Sequence, residues 1–162
     1  MRLRRPESHE LPLLSALCLR SKAVWGYDEA FLEACRAELT IGAEELESTA
    51  LCVAEHDGAI VGVAQITVDG AIADLQKMFV EPGAIGLGVG RTLFAWAVSR
   101  AQDLGAQRLT IDADPGAVGF YKRMGAIELG SAPSGSIPGR MLPRLQLDLC
   151  GEIDQRGSIK ML

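Results

Sequence analysis

One stretch constrains this chain more than any other: Leu75 to Leu104. It reads Leu-Gln-Lys-Met-Phe-Val-Glu-Pro, then Gly-Ala-Ile-Gly-Leu-Gly-Val-Gly, then Arg-Thr-Leu-Phe-Ala-Trp-Ala-Val-Ser-Arg-Ala-Gln-Asp-Leu. An apolar strand runs into a turn at Pro82, the turn becomes a glycine-rich loop, and the loop opens a helix. Glycines at 86, 88 and 90 leave the backbone bare where the helix begins. The unpaired N–H groups of a first helical turn and the positive end of the helix dipole then face outward, ready for an anion. A phosphate group fits that description best. A turn serving only close packing does not need three alternating glycines, each of which costs chain entropy.

Which phosphate is a question of spacing. The loop of nucleotide hydrolases needs Gly-x-x-x-x-Gly-Lys-Ser/Thr, and the sequence contains no Gly-Lys pair. The dinucleotide fingerprint needs Gly-x-Gly-x-x-Gly, and counting from Gly86 puts Arg91 where the third glycine belongs. Asp112 does end the next expected strand at about the distance of a ribose contact, so a dinucleotide-binding fold stays open as an alternative with a clear signature: affinity for NAD and none for CoA.

Composition narrows the class. The 162 residues suit one domain (1–162, with a core of about 1–149 and a tail of 150–162), 48% of them apolar and 23% charged. A net charge of −5 argues against nucleic acid or an anionic membrane as partner. It does not argue against a phosphorylated cofactor held by local amides. No apolar run reaches the roughly 18 residues of a membrane span, and the basic start Met1–Glu7 has no apolar run behind it. Cysteines 18, 35, 52 and 150 have no paired spacing. They read as buried free thiols in a reducing compartment, with no metal, and the cytoplasm is the expected location.

Along the chain, Met1–Arg5 alternates like an edge strand, and Leu11, Leu13, Leu14, Leu17 and Cys18 recur at helical spacing. A second helix is expected over 28–39, capped by Asp28, and the acidic run Glu44–Thr49 reads as a solvated connector. Ala50–Glu55 and Ala59–Val68 are strands joined by a His56-Asp57-Gly58 hairpin turn, and Ala73–Val80 continues the meander. Gly105 closes the central helix. Gln107–Asp112 is a short strand, and Asp114-Pro115 caps a helix reaching Gly125. Strands Ala126–Gly130 and Met141–Leu149 flank a Ser/Pro/Gly-rich loop, 131–140. His9 and His56 fall at a helix start and a turn, as surface residues.

Two motifs resemble the GNAT superfamily of N-acetyltransferases. Val80-Glu81-Pro82 followed by Ile85-Gly86-Leu87-Gly88-Val89-Gly90 is similar to that family's Gln/Arg-x-x-Gly-x-Gly/Ala pyrophosphate loop, with Ile85 in place of Gln or Arg. Asp114-Pro115-Gly116-Ala117-Val118-Gly119-Phe120-Tyr121-Lys122-Arg123-Met124-Gly125 resembles its Asn-x-x-Ala-x-x-Phe-Tyr-x-x-x-Gly helix, with Asp114 in place of Asn. The element order β-α-α-β-β-β-α-β-α-β-β also follows that fold. The resemblance implies an α/β (α+β) architecture with a mixed, mostly antiparallel sheet of six to seven strands flanked by about four helices.

It further implies an acetyl-CoA-dependent N-acetyltransferase acting on a small-molecule amine or a protein amino group. The loop from Ile85 through Leu87, Gly88, Val89 and Gly90 to Arg91 would hold the cofactor pyrophosphate, and Asp114 would lie beside the cofactor. Met78, Phe79 and Val80 would offer backbone to the pantetheine arm and one N–H to the developing oxyanion. Tyr121 would protonate the leaving thiolate. By position, Asp74 matches a glutamate base of protein-acetylating members, and by strict alternation residues 74, 76, 78 and 80 share a face. A water chain is another route for that proton, and Asp112 and the capping Asp114 are alternative carboxylates. Trp25 and Tyr27, in a chain with 5% aromatics, and Arg140 would wall the acceptor pocket, Arg140 pairing with an acceptor carboxylate. Cys52 and Cys150 have no base near in sequence, which favours direct attack in a ternary complex. An inactive acyl-CoA-binding module is the alternative kept open by Ile85 and Asp114. A homodimer contact through the last strand and tail is a further expectation.

Overall fold

A computed structural model describes residues 1–150; the expected tail contact from 151 onward lies outside the described residues. Seven strands form one sheet: β1 (Arg2–Arg4), β2 (Ala50–His56), β3 (Ala59–Asp69), β4 (Ile72–Val80), β5 (Arg108–Asp112), β6 (Ile127–Pro133) and β7 (Met141–Asp148). Their order is β1-β2-β3-β4-β5-β7-β6, and β4/β5 is the parallel pair in an otherwise antiparallel sheet. The expected fold class holds.

The β2–β3 turn is the Asp57-Gly58 hairpin, both residues at positive φ (51° and 79°), which matches the right-handed twist of the flanking strands. Alternation then sorts the side chains of these strands. Leu51, Val53 and Val63 face helices α1 (Leu11–Ala23), α2 (Glu29–Leu39) and α3 (Ala43–Ser48). Cys52, Ala54, Ala64 and Ile66 face the other way, toward α4 (Val89–Asp103), with α5 (Val118–Arg123) covering the same face farther along. Helix α2 begins where expected, the Asp28 carboxylate accepting the Phe31 N–H at 2.8 Å.

Three expectations need correction. Residues 44–49 are not a solvated connector: most of the run lies in α3, which buries Leu46. From the same helix Glu45 reaches inward to Gln65 Nε2 at 2.7 Å and Lys77 Nζ at 3.3 Å. Burial pushes the Glu45 carboxyl up, but Gln65 and Lys77 outweigh it and hold it below the usual range. The acidic run hides one working carboxylate among solvated ones. Strand β6 extends to Pro133, so the last loop is 134–140. The third correction concerns Cys150, which is exposed, while Cys18, Cys35 and Cys52 are buried.

Strand β4 carries the feature that positions the site. Its register against β3 slips between Gln65 and Ile66: Ile66 faces Leu75, Gln65 faces Lys77, and Gln76 is the extra residue of a β-bulge. Ala73 and Leu75 lie on the α4 face, and so do Met78 and Val80 beyond the bulge. The alternation therefore breaks at Gln76, and Asp74 does not share a face with Met78 and Val80.

Helix α4 lies close on β3 because residue 62 is glycine. A Cβ there would stand 2.7 Å from Val89 Cγ1, 2.8 Å from Leu93 Cδ1 and 3.2 Å from the Phe79 carbonyl oxygen. Gly62→Ala must push α4 off the sheet, at about 1–3 kcal/mol for an overpacked core. Urea unfolding should show that loss, and because Val89 is displaced with the glycine loop, any anion held by that loop should bind more weakly.

Candidate active site

Parallel pairing of β4 with β5 covers Ile72–Leu75 against Arg108–Ile111 and no further. Beyond Leu75 the strands part, and β5 continues against β7 as far as Asp112–Arg144. The backbone of residues 76–80 thus keeps one edge open. Glu81 N–H donates to the Val61 carbonyl at 2.8 Å. By the period of two, the Phe79 N–H also faces β3, whereas those of Met78 and Val80 point into the gap. That gap is the floor of a cleft of about 670 Å³.

The glycine loop stands at the head of the cleft. Gly86 and Gly88 adopt left-handed φ of 91° and 80°, and Gly88 is the residue preceding the first turn of α4. Among the described residues the N–H groups of Gly86, Gly88, Val89, Gly90 and Arg91 have no hydrogen-bond acceptor, while the neighbouring Leu87 N–H bonds the Ala84 carbonyl at 3.2 Å and Thr92 N–H the Gly88 carbonyl at 3.1 Å. Five amides and the positive end of a 15-residue helix converge on one spot. Ile85 is 60% exposed at the rim, and Leu87 points away from the cleft.

Tyr121 sits across the gap. Its ring packs against Phe94 (centroids 5.7 Å apart) and Phe120 (5.2 Å), its hydroxyl bonds to no group among the described residues, and the residue lines the cleft. Burial pushes the phenol well above its ordinary 10, so it stays protonated at neutral pH and can donate a proton.

The mouth is roofed by three loops tied together through Asp114. The Tyr27 hydroxyl donates to Asp114 Oδ2 at 2.6 Å and accepts from an Arg140 amino group at 2.6 Å. Lys22 Nζ donates to the same Oδ2 at 3.2 Å, while Oδ1 caps the following turn through Gly116 N–H at 3.1 Å. Burial raises the Asp114 carboxyl, but the Tyr27 hydroxyl, the Gly116 N–H and Lys22 together hold it below the usual range. Tyr27 stacks flat on Phe31, centroids 3.9 Å apart, and the Arg140 guanidinium lies over both rings at 5.0 and 4.9 Å. Trp25 lies against Gly116, where a Cβ would come within 2.5 Å of its ring. Trp25, Asp114 and Arg140 line the cleft; Tyr27 stands behind them as their brace.

Of the expected site residues, the structure gathers Met78, Phe79, Val80, Ile85, Gly86, Gly88, Val89, Gly90, Arg91, Asp114, Tyr121, Trp25 and Arg140 around one cleft. Asp74 is not among them. The bulge turns it to the opposite face, where it accepts from Thr110 Oγ1 at 2.7 Å and Gln76 Nε2 at 2.6 Å, and burial holds its carboxyl above the usual range. Sequence reasoning passed over Lys77, Glu38 and Cys35, which also line the cleft. Lys77 is 9% exposed and bonds Gln65 Oε1 at 3.0 Å; a lysine inside an apolar strand was the signal available. Among the described residues no group of three His, Cys, Asp or Glu could hold a metal ion, and no helix is long and apolar enough to cross a membrane.

A family model described as an acetyltransferase (GNAT) domain matches residues 16–133. The chain belongs to the GNAT acetyltransferase family. A curated relative, an uncharacterized N-acetyltransferase ycf52-like protein of Prochlorococcus marinus, is 31% identical over 67 residues, spanning 41% of this chain and 37% of the relative. The fold is similar to that of the PaiA N-acetyltransferase of Thermoplasma acidophilum, solved with coenzyme A (TM-score 0.76, 15% identity, 91% of this chain and 98% of that one). It is similar as well to YncA of Salmonella typhimurium, a putative acetyltransferase solved with acetyl-CoA (TM-score 0.67, 18% identity, 94% and 95%).

The four thiols should separate cleanly. Burial pushes Cys18 up to about 12 and Cys52 up to about 11, so neither forms much thiolate at pH 8. Titration of the native protein with a chromogenic disulfide at pH 8 should show one fast thiol, Cys150, and three slow ones; Cys150→Ser should abolish the fast phase.

Proposed function

We propose that this protein is an acetyl-CoA-dependent N-acetyltransferase that transfers the acetyl group directly to an amine in a ternary complex. The observation that carries the reading is the open edge of β4, aimed from the glycine loop toward Tyr121. A pyrophosphate on the amides of residues 86–91 leaves the pantetheine arm running along residues 76–80, pairing with the backbone as an added strand would. Arg91 adds a charge beside the phosphates.

The thioester carbonyl then lies within reach of the Met78 N–H, which stabilises the oxyanion as the amine attacks. Collapse of the tetrahedral adduct breaks the C–S bond, and the Tyr121 hydroxyl gives its proton to the departing thiolate. No carboxylate of β4 reaches the cleft, and those that line it are engaged, Glu38 by Ser136, Asp112 by Arg144 and Asp114 by Tyr27 and Lys22. The proton of the attacking ammonium therefore leaves through water at the open mouth. Trp25 and Arg140 bound the acceptor side. Buried Cys52 and exposed Cys150 lie off the cleft lining, and Cys35, which borders the cleft, is itself buried on α2.

Calorimetry tests the cofactor. Acetyl-CoA should bind in the micromolar range and NAD not at all, and Gly88→Trp should abolish binding because the φ of 80° strains any side chain there and an indole would fill the open space over the loop amides. Absence of acetyl-CoA binding by the wild type would sink the proposal; NAD binding would revive the dinucleotide alternative. For Tyr121→Phe, kcat should fall by about 10²–10⁴ with acetyl-CoA affinity kept. Since burial raises the phenol, the wild-type rate should show no loss from tyrosine ionisation between pH 7 and 9.5. A binding-only module would show acetyl-CoA affinity with no amine-dependent CoA release.

A further inference from the structure

The roof of the cleft is out of electrostatic balance. Lys22 and Arg140 present two positive charges with side chains 14% and 18% exposed, and they share one carboxylate, Asp114, itself 10% exposed. Among the described residues no other carboxylate comes within 4.0 Å of either cation. Asp114 is also largely used: Oδ2 takes Tyr27 and Lys22, and Oδ1 takes the Gly116 N–H. The cations are not. Lys22 spends one of its three ammonium protons on the protein, and Arg140 one of its five N–H donors. Stacking on Tyr27 and Phe31 relieves part of the guanidinium's lost hydration, but it offers no acceptor for the remaining N–H groups.

Two half-buried cations on one shared carboxylate leave the cluster a net charge of +1, and both residues line the cleft. The other carboxylates of the lining are not paired with these two cations, although Glu38 brings a negative charge of its own to the cleft. Asp112 is held by Arg144 in a two-point pair at 2.8 and 3.0 Å, and Glu38 bonds the Ser136 hydroxyl and abuts Gly135. An arginine fork beside an ammonium suits a planar, two-oxygen anion.

We infer that Lys22 and Arg140 form a carboxylate subsite, and that the acceptor is an amino acid, an amine carried on the same small molecule as a carboxylate. The inference rests on the transferase reading above and goes beyond it by naming the acceptor class. The cleft agrees with a small acceptor: about 670 Å³ must hold the acetyl-pantetheine end as well. With the carboxylate on Lys22 and Arg140, the roof becomes neutral and the amine is left to face the gap between β4 and β5. Tyr27 and Asp114 act as positioning residues, setting the guanidinium and the ammonium side by side.

The test compares matched probes. CoA release from acetyl-CoA is followed chromatographically with the proteinogenic L-amino acids, their carboxamides, the corresponding decarboxylated amines, and tripeptides with free or amidated C-termini. In parallel, calorimetry in the presence of CoA measures binding of the N-acetyl amino acids and of their amides, which stand in for product. Free amino acids should exceed their carboxamides by at least about 100-fold in kcat/KM, mostly through KM, the size expected when a site built for a charged partner meets a neutral one. The N-acetyl acids should bind at least 10-fold tighter than the N-acetyl amides. Arg140→Met and Lys22→Met should each erase that preference, since either leaves the roof neutral, and Arg140→Lys should restore part of it. Acetyl-CoA affinity of the variants reports that they fold.

Equal use of acids, amides and decarboxylated amines overturns the proposal, as does a preference that survives both methionine variants. Tripeptides accepted regardless of their C-terminal group also overturn it, and would point to protein amino groups. If no probe is acetylated although acetyl-CoA binds, the product arm decides alone: equal affinity for acid and amide refutes the subsite. Failure of acetyl-CoA itself to bind is a different result and falls on the transferase reading.

Discussion

Everything at the site depends on β4 pairing with β5 over four residues and then leaving it. A parallel pair that continued would spend the N–H groups of Met78 and Val80 on β5 and close the sheet. Two local causes prevent that. The bulge at Gln76 bends β4 and increases its twist, and β5 stops at Asp112 because Asp114-Pro115 starts a helical turn. The strand edge left bare costs the fold a few ladder bonds. It supplies instead a row of fixed amides whose spacing matches an extended ligand, so binding requires no rearrangement of the strand.

The anion site at the head of that edge is built from main chain, and this reconciles an acidic protein with a polyanionic cofactor. The net charge of −5 acts over distances that salt screens to about 8–10 Å. Five amides without acceptors among the described residues and the end of α4 act at contact, where a phosphate would meet dipoles whose ordering cost was met during folding. Only glycine allows the left-handed turn at 86 and 88 that aims those amides. Gly62 completes the device from below, since without its close approach α4 and its first turn would stand farther from β4.

The parts of the site legible in the sequence are those coded by adjacent residues. The glycine loop, the Asp57-Gly58 hairpin and the Asp28 and Asp114 caps each need a particular residue at a particular dihedral or hydrogen-bond position, and each fell where the local chemistry put it. The bulge was not legible. An alternating strand looks the same with or without one extra residue, yet that residue puts Asp74 on the face opposite Met78 and Val80 and off the cleft lining. Glu45 was misread for a related reason: in a run of glutamates nothing marks the one whose partner, Lys77, is buried 32 residues away. The roof was half legible. Tyr27 and Arg140 stood out by type, but their joint meeting with Asp114 spans 87 residues in one case and 113 between the two of them, and only the folded sheet brings those loops together.

Asp114 is where a departure from the family motif becomes informative. At this position an asparagine would cap the turn equally well, because both side chains offer an oxygen to the Gly116 N–H. It would bring no charge, however, and Lys22 and Arg140 would then face each other across Tyr27 as an uncompensated pair, with both ion pairs to Oδ2 lost. With aspartate the roof holds together at a net +1. The same substitution that weakens the match to a cofactor contact therefore fits a different task, the assembly of two cations over the cleft. A residue that looks like a defect in one motif is the keystone of the neighbouring cluster.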